Sequence, residues 1–234
     1  MERHKVPSFA SLWQKHESLY ISIFTMALQR LPSAKCDLSN EDSISKYLCP
    51  ILKSVCFEKN RADNCEVRTP DWEKPIQPVN ICELRGGKTG KRPDFTCKLT
   101  NPLASCIEEY EIMFHVECKR LGAPTSPKWI LNKNYVANGI LRFDSELYEY
   151  GKRAASGMMI GYIVSMSSKE ILDEVNNWQK RLCSHNPDIE QESENGSVCR
   201  LRQKINRRNL EPRLFNLFHL WVDLRKSLLQ TPYP

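Results

Sequence analysis

Apolar residues along this chain recur at two different spacings, and the change from one to the other marks out its elements. Helical spacing, every three or four residues, runs through four segments. The first is 8–31, ending at Pro32. The second is 41–59, where Ile44, Tyr47, Leu48, Ile51, Leu52 and Val55 share one face and Asn40 or Ser39 can cap the start. The third is 132–156, with Ile140, Phe143, Leu147, Tyr150 and Ala154 in line. The fourth follows Ser167 or Ser168 and turns Ile171, Leu172, Val175, Trp178 and Leu182 inward. Between them lie shorter runs that read as strands: 79–85, 93–99 with Pro93 at its start, and the alternating run 112–119. Gly86-Gly87 suits a hairpin turn between the first two, because glycine tolerates positive φ. The apolar stretch 158–166 has the density of a buried strand, and 198–202 and 215–222 read as two more. The polar, acidic stretch 184–197 reads as an exposed or disordered loop.

The alternation at 112–119 sorts its side chains into two rows. Ile112, Phe114, Val116 and Cys118 form an apolar row suited to packing on helices. Met113, His115, Glu117 and Lys119 form the other, which turns polar toward its end. Glu117 and Lys119 therefore point the same way, about 7 Å apart along the strand. Asp94 lies 23 residues before Glu117, at the start of the preceding strand. In an antiparallel pair the start of one strand lies beside the end of the next, which brings the two acids together. Of 28 acidic residues, only Glu117 has a lysine two positions later. Two carboxylates and a lysine on neighbouring strands can hold a divalent cation beside an ammonium group. A solvated Glu and Lys on an edge strand is the plainer reading of 112–119 taken alone. His115 shares the polar row and reads as a neighbour of the site.

Pro93-Asp94 followed on the next strand by Glu117-Cys118-Lys119 resembles the PD-(D/E)xK nuclease superfamily, across roughly residues 40–180. The resemblance implies the restriction-endonuclease-like fold: an α/β (α+β) protein with a central mixed four-stranded sheet flanked by helices. Here that core would carry extra C-terminal strands and an N-terminal helix. The resemblance further implies a Mg²⁺ (or Mn²⁺) ion held by Asp94, Glu117 and the main-chain carbonyl of Cys118, with Lys119 acting on the attacking water. An acid from the first core helix sometimes joins such sites, and Glu41 is the candidate. The glutamine-tyrosine pattern that some relatives carry on the next helix is not present in clear form. Asn132, Asn134, Tyr135 and Asn138 stand there instead.

Charge adds a candidate substrate. The net charge of +6 is unevenly spread. Residues 199–226 hold eight basic residues against two acidic ones, and Arg85, Lys88, Lys91, Arg92 and Lys98 surround Asp94. Such clusters suit a phosphate backbone, whose affinity for protein comes largely from counterion release. Lys91, Arg92, Arg142, Arg153, Arg207 and Arg208 are the candidate nucleic-acid contacts. The alternative for each cluster is a solvated basic face.

Forty-one per cent hydrophobic and 26% charged residues are ordinary for a globular protein. Ten cysteines without a CxxC pair, several in apolar runs, favour buried thiols in the reducing cytoplasm over a disulfide framework or a zinc site. No segment reads as a membrane span. One domain is expected over 1–234: an N-terminal helical extension (1–39), a nuclease core (40–183), an acidic loop (184–197) and basic C-terminal strands (198–234). The expected activity is Mg²⁺-dependent phosphodiester hydrolysis, with DNA as the expected substrate. Restriction or phage defence, with protein partners or a dimer, fits such an enzyme. A non-catalytic nucleic-acid-binding or scaffolding subunit is the alternative.

Overall fold

The computed structural model describes residues 8–33, 36–63, 66–79, 81, 83 and 90–225. A seven-stranded mixed sheet runs through the molecule in the order β1-β2-β3-β4-β7-β6-β5. Its strands are β1 (Asp71–Trp72), β2 (Phe95–Thr100), β3 (Glu111–Leu121), β4 (Ser156–Ile163), β5 (Glu190–Asn195), β6 (Val198–Asn206) and β7 (Leu214–Asp223). The central trio β3, β4 and β7 is parallel, and the pairs toward either edge are antiparallel.

Two helical layers cover the sheet. Helices α1 (Phe9–Arg30) and α2 (Glu41–Asp63) lie on one face. There the Trp13 indole donates to Ser156 Oγ at 3.0 Å, and Ser45 and Tyr162 hydroxyls meet at 3.2 Å. A one-turn helix, α3 (Ile107–Tyr110), leads into β3. On the opposite face lie α4 (Leu131–Ala137) and α5 (Ser168–Leu182). Ser167 and Glu170 form a capping box at the start of α5, each satisfying a free N–H of the first turn. The Tyr135 hydroxyl of α4 meets Nδ1 of His219 at 2.8 Å and accepts from the Trp221 indole at 2.9 Å, which pins this layer to β7. The buried apolar residues of α1, α2, the sheet and α5 form one continuous core. Among the described residues, no helix is long and apolar enough to cross a membrane. The eight described cysteines are free thiols.

Four expectations need correction. The sheet has seven strands, because β6 and β7 join a single sheet with the core and β5 adds an edge. The strand expected at 79–85 is absent where it can be described: Ile81 and Glu83 have helical backbone, and β1 is the outer partner of β2. The Gly86-Gly87 turn lies outside the described residues. The helix expected at 132–156 stops after Ala137. A Cβ at Gly139 would meet the Tyr135 carbonyl at 2.3 Å, a short 3₁₀ helix covers Ile140–Asp144, and Glu149, Gly151 and Arg153 all have positive φ. Its apolar residues still reach the core apart from Leu147, which is exposed. The stretch 184–197 contains β5 rather than only loop, joined to β6 by the two-residue turn Gly196-Ser197 with Gly196 at φ 64°. That dipeptide is itself a hairpin signal. The exposed acids of β5 are partly neutralised across the ladder, with Glu192 reaching Arg200 at 2.8 Å and Arg202 at 3.3 Å.

Candidate active site

Strand β3 passes through the middle of the sheet, and its period of two places Glu117 and Lys119 on one side. Register then brings in Asp94. Phe95 pairs with Val116, so Asp94, one residue before β2, comes opposite Glu117. The Asp94 carboxylate is fixed there by the Cys118 amide, which donates to Oδ2 at 2.5 Å. Glu41 arrives from the first turn of α2, where the helix dipole favours a carboxylate. The Arg120 amide donates to its Oε2 at 3.0 Å and holds it beside the end of β3. The acids and lysine named from the sequence, Glu41 included, therefore gather in one place.

The Lys119 ammonium stands at the centre of this group. It donates to Glu117 Oε1 at 2.6 Å, the Cys118 carbonyl at 2.7 Å and Glu41 Oε1 at 2.9 Å. Burial pushes this ammonium down, but Glu117, Glu41 and Asp94 together raise it above the ordinary lysine range. Glu117 is 1% exposed. Burial holds its carboxyl above the usual range, against the pull of Lys119 and Arg142. Asp94 is half-buried, and it too is raised by burial and then by Glu117. The acids thus crowd one another, and cationic groups hold them together.

Magnesium and manganese prefer hard oxygen ligands. The oxygens of Asp94, Glu117, Glu41 and the Cys118 carbonyl meet that requirement. Glu117 Oε2 is buried without a hydrogen-bond partner among the described residues. Such an oxygen is costly to leave unmet, and a cation would satisfy it. By donor chemistry and by this unmet oxygen, the residues fit a divalent cation. The side chains alone do not form a cage: among the described residues, no cluster of three or more His, Cys, Asp or Glu side chains is placed to hold a metal. Three of the would-be donors are bound to the Lys119 ammonium.

Arg142, from the 3₁₀ segment after α4, also donates through Nη1 to Glu117 Oε1. Its guanidinium lies 4.7 Å from the centre of the Tyr148 ring, and the Lys91 ammonium lies 4.5 Å from the same ring. Tyr148 was not singled out in the sequence; the only trace of it is the aromatic pair in Tyr148-Glu149-Tyr150. Arg92 is exposed next to Lys91. His115 is a neutral structural residue. It accepts from the Gly151 amide at 3.0 Å, and burial lowers its pKa to about 4.

The other basic candidates lie elsewhere. Arg153 is paired with Glu83. Arg208 is exposed, and its amide donates to Asp144 at 2.8 Å. Arg207 is a correction, because at 1% exposure it has no surface to offer a backbone phosphate. Its guanidinium donates to the carbonyls of Pro212, Gly151 and Phe143 and lies 4.2 Å from the centre of the Phe215 ring. The cause is strand period: Leu201, Gln203, Ile205 and Arg207 form the buried row of β6 and its continuation, and Arg202, Lys204 and Arg208 form the exposed one. Comparison with known proteins finds no matching family model, no matching curated sequence and no matching solved structure.

Proposed function

We propose that this protein is a divalent-metal-dependent phosphodiester hydrolase acting on nucleic acid, with DNA as the first substrate to test. The reading rests on one observation above the others. Asp94, Glu117, Glu41, the Cys118 carbonyl and Lys119 converge from three separate elements, and Glu117 keeps a buried oxygen without a partner among the described residues. The PD-(D/E)xK resemblance supplies the same residues in the same roles.

In this reading Asp94, Glu117 and the Cys118 carbonyl hold the cation, with Glu41 joining from α2. A bound Mg²⁺ would supply Lewis acidity toward the phosphate and lower the pKa of water. The protein's own groups do the rest. Lys119 remains an ammonium, so it donates to the attacking water and to charge developing on phosphate rather than accepting a proton. Glu117 and Glu41 orient that ammonium. Arg142 and Lys91 provide positive charge beside Tyr148 for the substrate backbone. The strands around the site are buried, which keeps the geometry fixed while the half-buried Asp94, Glu41 and Arg142 leave it open to solvent.

The closure of Lys119 on Glu41, Glu117 and the Cys118 carbonyl favours a second reading. A non-catalytic, nucleic-acid-binding member of the same fold would also satisfy its acids internally. Incubation with supercoiled plasmid, linear duplex and RNA, each with Mg²⁺, Mn²⁺ or EDTA, separates the two. The expected result is cleavage with metal, none with EDTA, and loss of cleavage in Asp94→Ala. Intact substrates under every metal condition would rule out the hydrolase and leave the binding module.

A further inference from the structure

The ion pair between Arg142 and Glu117 is incomplete on both sides. An arginine and a carboxylate frequently meet through two parallel hydrogen bonds. Here only Nη1 and Oε1 meet. Arg142 Nε and Glu117 Oε2 are both buried and both without a partner among the described residues. Leaving a donor and an acceptor of opposite charge unmet in one pair is costly. The two unmet atoms also require different things: Nε requires a hydrogen-bond acceptor, which an anionic oxygen meets best, and Oε2 requires a cation or a donor.

Its surroundings limit which ligand Arg142 can take. The guanidinium is held against Tyr148 at 4.7 Å, with a second, longer contact to Tyr150 at 6.0 Å. Lys91 reaches the same Tyr148 ring. Two cations at one ring create a local positive field that suits a phosphate. Arg142 sits on the 3₁₀ segment Ile140–Asp144, whose neighbours Phe143 and Asp144 are buried, so its backbone is anchored.

We propose that Arg142 is an exchangeable latch: it closes on Glu117 in the free protein and transfers to a non-bridging oxygen of a nucleic-acid phosphodiester when a divalent cation takes up Glu117. This inference rests on the hydrolase reading of the same site. A phosphate oxygen meets Nε, and the cation meets Oε2, so each ligand removes the unmet group that the other would leave behind. Metal and nucleic acid therefore bind with positive coupling. By linkage, the coupling has the same size whichever ligand is added first.

The experiment measures binding rather than turnover. Free Mn²⁺ is followed by electron paramagnetic resonance without DNA, and duplex oligonucleotide binding is followed by fluorescence anisotropy with Ca²⁺ or EDTA. Arg142→Gln removes a positive charge from Glu117, so Mn²⁺ should bind about tenfold more tightly than in wild type. Wild type should bind the duplex about tenfold more tightly in Ca²⁺ than in EDTA, and Arg142→Gln should lose that gain. Arg142→Lys serves if the glutamine variant does not fold. It keeps the charge but lacks the planar fork of the guanidinium, so Mn²⁺ affinity should stay near wild type while the Ca²⁺-dependent gain shrinks. Unchanged Mn²⁺ affinity and full coupling in the variants, in a protein that binds Mn²⁺ and cleaves, would make Arg142 a fixed structural bolt and leave the hydrolase standing. Wild type that binds no Mn²⁺ and cleaves nothing would remove both.

Discussion

Replacing Lys119 with methionine tests whether the buried ion cluster holds the site together. Methionine keeps the length of the side chain and removes the ammonium. Three charge-assisted or carbonyl hydrogen bonds then vanish, at 2.6, 2.7 and 2.9 Å. Glu117, 1% exposed, loses one of its two cationic partners, and Glu41 loses its ammonium contact. Removing one partner from a buried charge pair costs about 3–5 kcal/mol. Arg142 remains on Glu117 and the Arg120 amide remains on Glu41, so the lower end, about 3 kcal/mol, is expected. For a chain of this size each kcal/mol is about 2–4 °C in Tm, which makes the expected fall about 6–12 °C. Differential scanning calorimetry across a Mg²⁺ series measures it. A cation that binds only the folded state at about a hundred times its dissociation constant adds about 2.7 kcal/mol. The variant should gain more from Mg²⁺ than wild type, because in wild type the ammonium already offsets the charge of the acids that the cation would meet. A Tm within about 2 °C of wild type at every Mg²⁺ concentration would refute the reasoning. It would mean that the ammonium contributes nothing net and that the acids tolerate one another without it.

Two further outcomes follow from buried charge elsewhere. Arg207→Ala takes both guanidinium hydrogen bonds from the Pro212 carbonyl and one each from Gly151 and Phe143, and removes a desolvated cation from Phe215, so a loss of about 3 kcal/mol is expected in chemical denaturation. Its effect on the salt dependence of DNA binding should be nil, and a flattened salt slope with unchanged stability would return Arg207 to the surface. Burial pushes the Glu83 carboxyl up, but the Val79 amide, Lys152 and Arg153 carry it down to about 2. A carboxyl depressed on folding stabilises the protein above its ordinary pKa near 4.5 and loses that contribution as pH falls toward 2. The Tm advantage of wild type over Glu83→Gln should therefore be full above pH 4.5 and shrink toward pH 2; an advantage independent of pH would show that the carboxylate charge is not what matters.

Periodicity, with the resembled fold as a guide to boundaries, located α1, α2, α5 and the strands β2, β3, β6 and β7, and apolar density located β4, which is buried along its whole length. The same period put Glu117 and Lys119 on one side of β3 and, read further, would have put Arg207 in the buried row with Leu201 and Ile205. It could not show where α4 ends. The apolar residues from Ile140 to Ala154 keep helical spacing, but the close approach at Gly139 and the positive φ at Glu149, Gly151 and Arg153 break the helix while all of those side chains but Leu147 still reach the core. The two-residue edge strand β1 is too short to leave a pattern, and β5 is exposed along its length, so no buried row marks it.

Chain order allowed Asp94 to approach Glu117, since neighbouring antiparallel strands are a local matter. The arrival of Glu41, Arg142 and Tyr148 was decided only by tertiary packing. Glu41 depends on how α2 lies across the end of β3, and Arg142 on a 3₁₀ turn whose position is fixed by packing of Phe143. Charge state belongs to the tertiary structure as well. A sequence shows acids and a lysine as separate charges. Burial raises Asp94 and Glu117, the surrounding carboxylates raise Lys119 against its own burial, and the ammonium becomes the group that holds the acids in place.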